Sequence, residues 1–233
     1  MVSRLSSSQN RSLEAQRDGK EPTDSKRRPI LRGWLHAIAV PYVIHVGIDI
    51  IHKAPTNPIK HACLAYVVFV ALQFTVSAIY NVPTWDPETR LALRKLDHAW
   101  IYFVIAATYT PFCIIASEIY PLSLLLLLFM WTIAIIGFAS SLLKKGGFKS
   151  KAISSASYIL IGWCGTPALI TGVFSKSVYN YLLLGGLSYS IGGIMYALHW
   201  PNPVRRVLEY HEMFHLCTIV ANSMMCEAIL QAL

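Results

Sequence analysis

The sequence predicts an all-α fold, a polytopic membrane protein of seven transmembrane helices with a cytosolic N-terminus and an external C-terminus. Hydrophobic residues make up 55% of the 233 residues and charged residues only 14%, whereas soluble domains hold about 25% charged residues. The mean hydropathy is +0.47. These values exclude an ordinary soluble domain and, beyond about the first 30 residues, a disordered chain.

Seven apolar windows approach the length of about 20 residues that a helix needs to cross the hydrocarbon core. They are Gly33–Ile51, Ala62–Tyr80, His98–Ala116, Pro121–Ser140, Tyr158–Phe174, Tyr181–Leu198 and Phe214–Leu233. The first contains ionisable residues, and the fifth is short and contains Gly and Pro, which membrane helices tolerate. The chain therefore divides into a disordered basic cytosolic tail, residues 1–32, and a seven-helix transmembrane domain, residues 33–233.

The placement of basic residues fixes the predicted orientation. Of the 20 Lys and Arg residues, 17 lie in the tail and the even-numbered loops and three in the odd-numbered loops. Because cytosolic loops are enriched in Lys and Arg, the tail and the even loops are predicted to be cytosolic. The same placement in loops argues against a nucleic-acid partner for the net charge of +8. The five cysteines lie in apolar stretches, without the spacing of a disulfide framework or a thiolate zinc site.

Several polar side chains converge on the cytosolic level of the predicted bundle. An ionisable group inside a membrane helix costs several kcal/mol, so such residues are functional candidates. The set comprises His36, Ser77, Asn81, Asp97, His98, His211, Glu212 and His215. His211 and His215, four residues apart, share a helix face and have the spacing with which two imidazoles bind one metal. Alternatively, Ser77 is a helix-packing residue and Asp97 a helix cap.

Other histidines and one short motif have simpler interpretations. His45, His52 and His61 lie towards the outer side and are predicted to be interfacial. Residues 211–215 match H-E-x-x-H, the zinc-protease signature in which Glu is the general base. An intramembrane protease would also need a third ligand in a Pro/Gly-rich segment, and none follows His215.

The chain resembles hemolysin III, the bacterial branch of the progestin and adipoQ receptor family, over about residues 30–233. The likeness rests on Ser-Ala-Ile-Tyr at 77–80, Arg-Lys-Leu-Asp-His-Ala-Trp-Ile at 94–101, Ile-Ala-Ala-Thr-Tyr-Thr-Pro-Phe at 105–112 and His-x₃-His at 211–215. Arg-Gly-Trp-Leu-His at 32–36 is similar to the opening of the first helix in some members.

The resemblance implies seven helices, a cytosolic N-terminus and a zinc ion near the cytosolic leaflet, held by three histidines, one on the second helix and two on the seventh. By position, His211 and His215 would be ligands, Asp97 would hold or deprotonate the zinc-bound water, and Ser77 would support that water or the forming oxyanion. Alkaline ceramidases share this pattern, so the implied chemistry is hydrolysis of a ceramide-like membrane lipid.

The chain departs from the family pattern Ser-x₃-His on the second helix, because Asn81 stands where the third histidine is expected. An amide oxygen is a poor zinc ligand beside imidazole. Zinc would then bind more weakly, or Asp97, His98 or His36 would fill the gap, or the site has lost its metal. The alternative function is non-enzymatic: a membrane sensor, receptor or pore-former. An ion carrier is less favoured, because acids near the middle of the membrane are absent, apart from terminal ones such as Asp49 and Glu227.

Overall fold

The computed structural model describes residues 28–143, 151–166 and 172–233. Within these residues the chain forms seven α-helices. In chain order they are α1 (Trp34–Lys53), α2 (Asn57–Asn81), α3 (Pro87–Ser117), α4 (Ser123–Leu143), α5 (Lys151–Cys164), α6 (Lys176–Leu198) and α7 (Tyr210–Ala232).

Six of these helices, all except α5, are long and apolar enough to cross a membrane, and the described residues contain no β-strand. The prediction of an all-α polytopic membrane protein is therefore confirmed. Helix α5 has 14 residues, about 21 Å at 1.5 Å per residue. Its predicted window ran on to Phe174, and residues 167–171 of that window lie outside the described residues.

Helix α3 begins at Pro87, well before the predicted window at His98. Asp86 is its N-cap, and the carboxylate accepts hydrogen bonds from the backbone N–H groups of Thr89 at 3.0 Å and Glu88 at 3.1 Å. Hydrogen bonds from Thr89, and to a smaller extent the one from Glu88, lower the pKa of the Asp86 carboxyl group. A hydropathy window does not include these first residues of α3, because they are polar. The interpretation of Asp97 as a helix cap is wrong, because Asp97 lies ten residues inside α3.

Among the described residues, each helix packs against the next one in the chain, except that α4 does not pack against α5. Helix α7 also packs against α1, and α3 contacts both α5 and α7. Glycines permit the close approaches. A Cβ atom at Gly47 of α1 would clash with Val67 of α2, and one at Gly192 of α6 would lie 2.7 Å from Cys217 of α7. Small residues commonly line such contacts between membrane helices.

The segment that leads into α1, residues 28–33, crosses the end of the bundle where α1 and α7 begin and α2 ends. We call this segment the strap and this end the N-terminal end. Arg28 Nη1 donates to Pro83 O at 2.9 Å, between α2 and α3, and Ile30 N donates to Arg206 O at 2.8 Å, between α6 and α7. The strap includes the last residues of the predicted tail; residues 1–27 lie outside the described residues.

The orientation in the membrane remains a prediction from the basic residues and can be tested by cysteine labelling. Lys176, at the start of α6, and Arg205, between α6 and α7, are both exposed and are predicted to face opposite sides of the membrane. In a Cys164→Ser background, which removes the one exposed native cysteine of the described residues, a membrane-impermeant maleimide should label Lys176→Cys in intact cells. It should label Arg205→Cys only after permeabilisation. The reverse pattern would contradict the predicted orientation.

Candidate functional site

A cavity of about 480 Å³ lies between the helices and is lined by residues of every described helix except α4. Its walls are mainly apolar. Polar side chains that line it near the N-terminal end include His36, Gln73, Ser77, Asp97, His98, His211 and His215. A largely apolar cavity of this size with a few convergent polar groups is the usual form of a small-molecule site. Of the five positions to which the family resemblance assigns a role in the site, Ser77, Asp97, His211 and His215 line this cavity and Asn81 does not.

Three histidines from α1 and α7 form a compact cluster at this polar end. The ring of His36 stacks on that of His215, with centroids 3.8 Å apart and planes 8° apart, and the ring centroids of His211 and His215 are 4.6 Å apart. All three are buried. Both nitrogens of His211 and the Nδ1 atom of His215 have no hydrogen-bond partner among the described residues. Because a buried polar atom without a partner is costly, these nitrogens favour an additional ligand.

The hydrogen bonds around His36 fix its tautomer. The Thr218 hydroxyl donates to the His215 carbonyl at 2.8 Å, so its oxygen accepts the hydrogen bond from His36 Nε2 at 2.9 Å. A neutral His36 therefore carries its proton on Nε2 and presents a lone pair on Nδ1. That Nδ1 atom is buried and lacks a partner among the described residues. On its other face, His36 stacks on Phe74 at 4.4 Å, which holds the ring in place.

Asp97 and Ser77 lie together in the wall of the cavity. Gln73 Nε2 donates to Asp97 Oδ1 at 3.1 Å and to the Asp97 backbone carbonyl at 3.3 Å, and Ser77 also interacts with the Asp97 carboxyl group. Gln73 was not among the site residues predicted from the sequence. The signal was available, because Gln73 precedes Ser77 by four residues and residues at this spacing share one face of a helix.

Asn81 turns towards its own helix. Its Nδ2 atom donates to the Ser77 backbone carbonyl at 2.9 Å and lies 3.4 Å from Ser77 Oγ. The strap packs directly on it: Gly33 has φ +81°, and a Cβ atom there would lie 2.7 Å from Asn81 Cβ. In this arrangement the amide nitrogen of Asn81 is engaged with Ser77, which lines the cavity, whereas Asn81 itself does not line it.

The H-E-x-x-H motif has a structural explanation at its glutamate. Glu212 Oε1 pairs with Arg32 Nε of the strap at 2.5 Å, and both side chains are buried. Glu212 Oε2 accepts a hydrogen bond from the Glu209 backbone N–H at 3.0 Å, which completes a capping box at the start of α7. Both carboxylate oxygens are thus engaged in contacts that hold the strap and the start of α7, which favours a structural role for Glu212.

His98, considered as a substitute ligand, also has both nitrogens engaged. Nδ1 lies 2.8 Å from the Arg94 carbonyl oxygen, which can only accept, so Nδ1 carries the proton. Nε2 of a neutral ring then accepts from the Tyr196 hydroxyl at 3.3 Å. Unlike His211, this imidazole has no free lone pair directed at a ligand.

The site fits a zinc ion in part. His211 and His215 supply two imidazoles with unpartnered buried nitrogens, which is the paired half of a histidine zinc site. No group of three His, Cys, Asp or Glu side chains within the described ranges is close enough to hold one metal ion. The nearly parallel stack of His36 on His215 directs their lone pairs along parallel planes, whereas tetrahedral ligands must converge.

Comparison with known proteins identifies the family. A family model described as Haemolysin-III related matches residues 25–226. Hemolysin-3 of Bacillus cereus is 28% identical over 214 residues, which cover 89% of this chain and 93% of that protein. The Hemolysin-3 homolog of Bacillus subtilis (strain 168) is 29% identical over 130 residues, 55% of this chain and 57% of that protein. Monocyte to macrophage differentiation factor of Homo sapiens is 26% identical over 172 residues, 70% of this chain and 68% of that protein.

The family match extends from the strap to α7 and so includes every residue of the polar cluster. Together with the six long apolar helices, it establishes an integral, multi-pass membrane protein. The resemblance drawn from the Asp-His and His-x₃-His motifs is confirmed, and the chain belongs to the haemolysin III-related family.

Proposed function

We propose that this protein is a membrane-embedded lipid amidohydrolase, which takes a ceramide-like lipid into its central cavity and cleaves the amide bond at the polar end with zinc as cofactor. The observation that carries the proposal is the set of unpartnered imidazole nitrogens on His211 and His215 at one end of an apolar cavity. An acyl chain suits the apolar walls, and a metal ion with the lipid's polar group suits the unpartnered nitrogens.

In this proposal His211 and His215 would hold the zinc ion, which when bound lowers the pKa of a water molecule and polarises a carbonyl group. Asp97, held by Gln73, would accept a proton from the attacking water and return it to the leaving nitrogen. Ser77 would donate a hydrogen bond to the carbonyl oxygen as negative charge develops there. Hydrolysis of the amide then yields a carboxylic acid and an amine.

A second candidate function is favoured by Asn81. Its amide is engaged with Ser77 and does not line the cavity, so the third ligand that the family pattern supplies is missing from its usual position. A protein with only two strong ligands would bind the same lipid without cleaving it, as a non-enzymatic receptor or sensor with a degenerate metal site.

Hydrolysis and binding can be separated with purified protein in lipid nanodiscs supplied with zinc and a fluorescent ceramide. Wild type should release the fatty acid, and Asp97→Asn should slow release by about 10²–10⁴-fold, the usual contribution of a general base, while ceramide still binds. Thr132→Leu is the matched control, because this exposed hydroxyl bonds within α4, away from the cavity. Binding without release by wild type would favour the receptor; absence of both would contradict both functions.

A further inference from the structure

An outward-facing polar stripe runs along the seam between α1 and α7, from about the middle of each helix towards the end remote from the histidine cluster. We call it the α1–α7 face; it comprises Tyr42, His45, Asp49, His52, Ser223 and Glu227. Tyr42, His45, Asp49, His52 and Glu227 are exposed, and Ser223 is half-buried. None of these residues lines the central cavity, so the face lies apart from the proposed hydrolytic site and does not depend on it.

These residues share one surface because of their spacing. The four residues of α1 follow each other at intervals of three, four and three, which keeps them within an arc of about 80° on a helix of 3.6 residues per turn. Ser223 and Glu227 are four residues apart and share a face of α7. The Tyr42 hydroxyl donates to Ser223 Oγ at 3.1 Å, and this hydrogen bond joins the two stripes.

Three ionisable side chains of this face lie within the length of their helices, and His45 lies deeper than the interfacial position predicted for it. His45 lies eight residues before the end of α1 and Asp49 four, about 12 Å and 6 Å at 1.5 Å per residue. Glu227 lies five residues before the end of α7, about 7.5 Å. In the described part of the chain, none of these three side chains makes a hydrogen bond or ion pair. Ionisable residues at such depths normally face a bundle interior or pair with one another, and carboxylates lack the long stem with which Lys and Arg reach the membrane surface.

The chemistry of the face is self-complementary. It carries two carboxylic acids, Asp49 and Glu227, together with two imidazoles, His45 and His52, so a second copy of the same face offers an opposite partner for each kind of group. Copies inserted in one orientation are related by a two-fold axis along the membrane normal, which brings residues of equal depth together. Measured from the Tyr42–Ser223 hydrogen bond, His45 lies three residues and Glu227 four residues further along their parallel helices, about 4.5 Å and 6 Å.

We propose that this protein forms a two-fold homodimer through the α1–α7 face, in which His45 of each copy pairs with Glu227 of the other. The symmetry produces this pair twice. Each pair removes an imidazole and a carboxylate from lipid, where their desolvation would otherwise be uncompensated. Tyr42 and Ser223 lie at the level where the two copies meet.

The test is single-molecule photobleaching of labelled full-length protein in liposomes at low protein density. Wild type should bleach mainly in two steps. His45→Leu and Glu227→Leu should each weaken the dimer roughly tenfold or more, because both symmetric pairs are lost. These substitutions place an apolar residue on an exposed surface, so the monomer should remain folded. Thr132→Leu is the control, since it also replaces an exposed polar residue by leucine but lies on α4, and it should bleach like wild type.

A charge swap tests the pairing itself. His45→Glu sets carboxylates opposite each other and should weaken the dimer, whereas His45→Glu combined with Glu227→His should restore it. In a Cys164→Ser background, His45→Cys combined with Glu227→Cys should form an intermolecular disulfide on oxidation, and each cysteine alone should not. One-step bleaching of wild type, or two-step bleaching of both leucine variants at the wild-type level, would overturn the proposal.

Discussion

Replacing Arg32 by methionine should lower the free energy of unfolding by about 3–5 kcal/mol, the cost of leaving one partner of a buried ion pair uncompensated. The side chain of Glu212 is fully buried and that of Arg32 nearly so. Without the guanidinium, the hydrogen bond from Glu209 N is the one contact that the Glu212 carboxylate keeps among the described residues. Unfolding in detergent, followed by circular dichroism and compared at one temperature, measures the loss.

The control is the double variant Arg32→Met with Glu212→Gln. A glutamine removes the buried charge and can still accept the capping-box hydrogen bond, and replacing both members of a buried ion pair is often close to neutral. The double variant should therefore recover most of the stability that Arg32→Met loses. A single variant as stable as wild type would mean that Arg32 and Glu212 are not paired in the membrane.

The Arg32–Glu212 ion pair also supports the candidate site, because it lies about one helical turn from the stack of His36 on His215. Arg32 lies four residues before His36, and Glu212 lies three residues before His215. The ion pair joins the strap to α7, and the stack of His36 on His215 joins α1 to α7 one turn further on. Two contacts in successive turns restrict the imidazoles to one geometry, which is what a binding site needs from its supporting residues.

The fold was predictable from the sequence because the membrane restricts the secondary structures that can cross it. Only helices or closed barrels satisfy the backbone within a membrane, so apolar windows identify the helices directly. Window edges do not identify helix ends: α3 begins at Pro87, because polar caps such as Asp86 and exposed first turns continue a helix beyond the apolar stretch. The depth of Ser77, Asp97, His211 and His215 followed from the windows, and these four residues do line one cavity.

Contacts between distant residues were not predictable. Arg32 and Glu212 are 180 residues apart, and nothing in the local pattern of either residue identifies the other. The direction of the Asn81 side chain depends on the strap that packs on it through Gly33, whereas the sequence placed Asn81 only by its spacing from Ser77. Gln73 was overlooked because a glutamine among apolar residues is not ionisable, although its spacing from Ser77 indicates the same helix face.

Added zinc should raise the melting temperature of the wild-type protein if His211 and His215 bind it. A ligand that binds only the folded state at about one hundred times its Kd stabilises by about 2.7 kcal/mol, or roughly 5–10 °C for a chain of this size. His211→Ala should abolish the response, because one strong ligand of the pair is lost. His61→Ala is the matched control, since His61 is exposed at the start of α2, remote from the cavity, and it should respond like wild type.

Asn81→His provides the opposite change, because it restores the imidazole of the family pattern one helical turn beyond Ser77. Three imidazoles bind zinc more tightly than two with an amide, so this variant should show a larger rise in melting temperature than wild type at the same zinc concentration. Thermal melting in detergent with zinc and with a chelator measures all four proteins. If Asn81→His responds to zinc no more than His211→Ala does, the cluster is not a degenerate zinc site. The unpartnered nitrogens of His211 and His215 would then be available for the polar group of a lipid, and the non-enzymatic receptor would become the better explanation of the cavity.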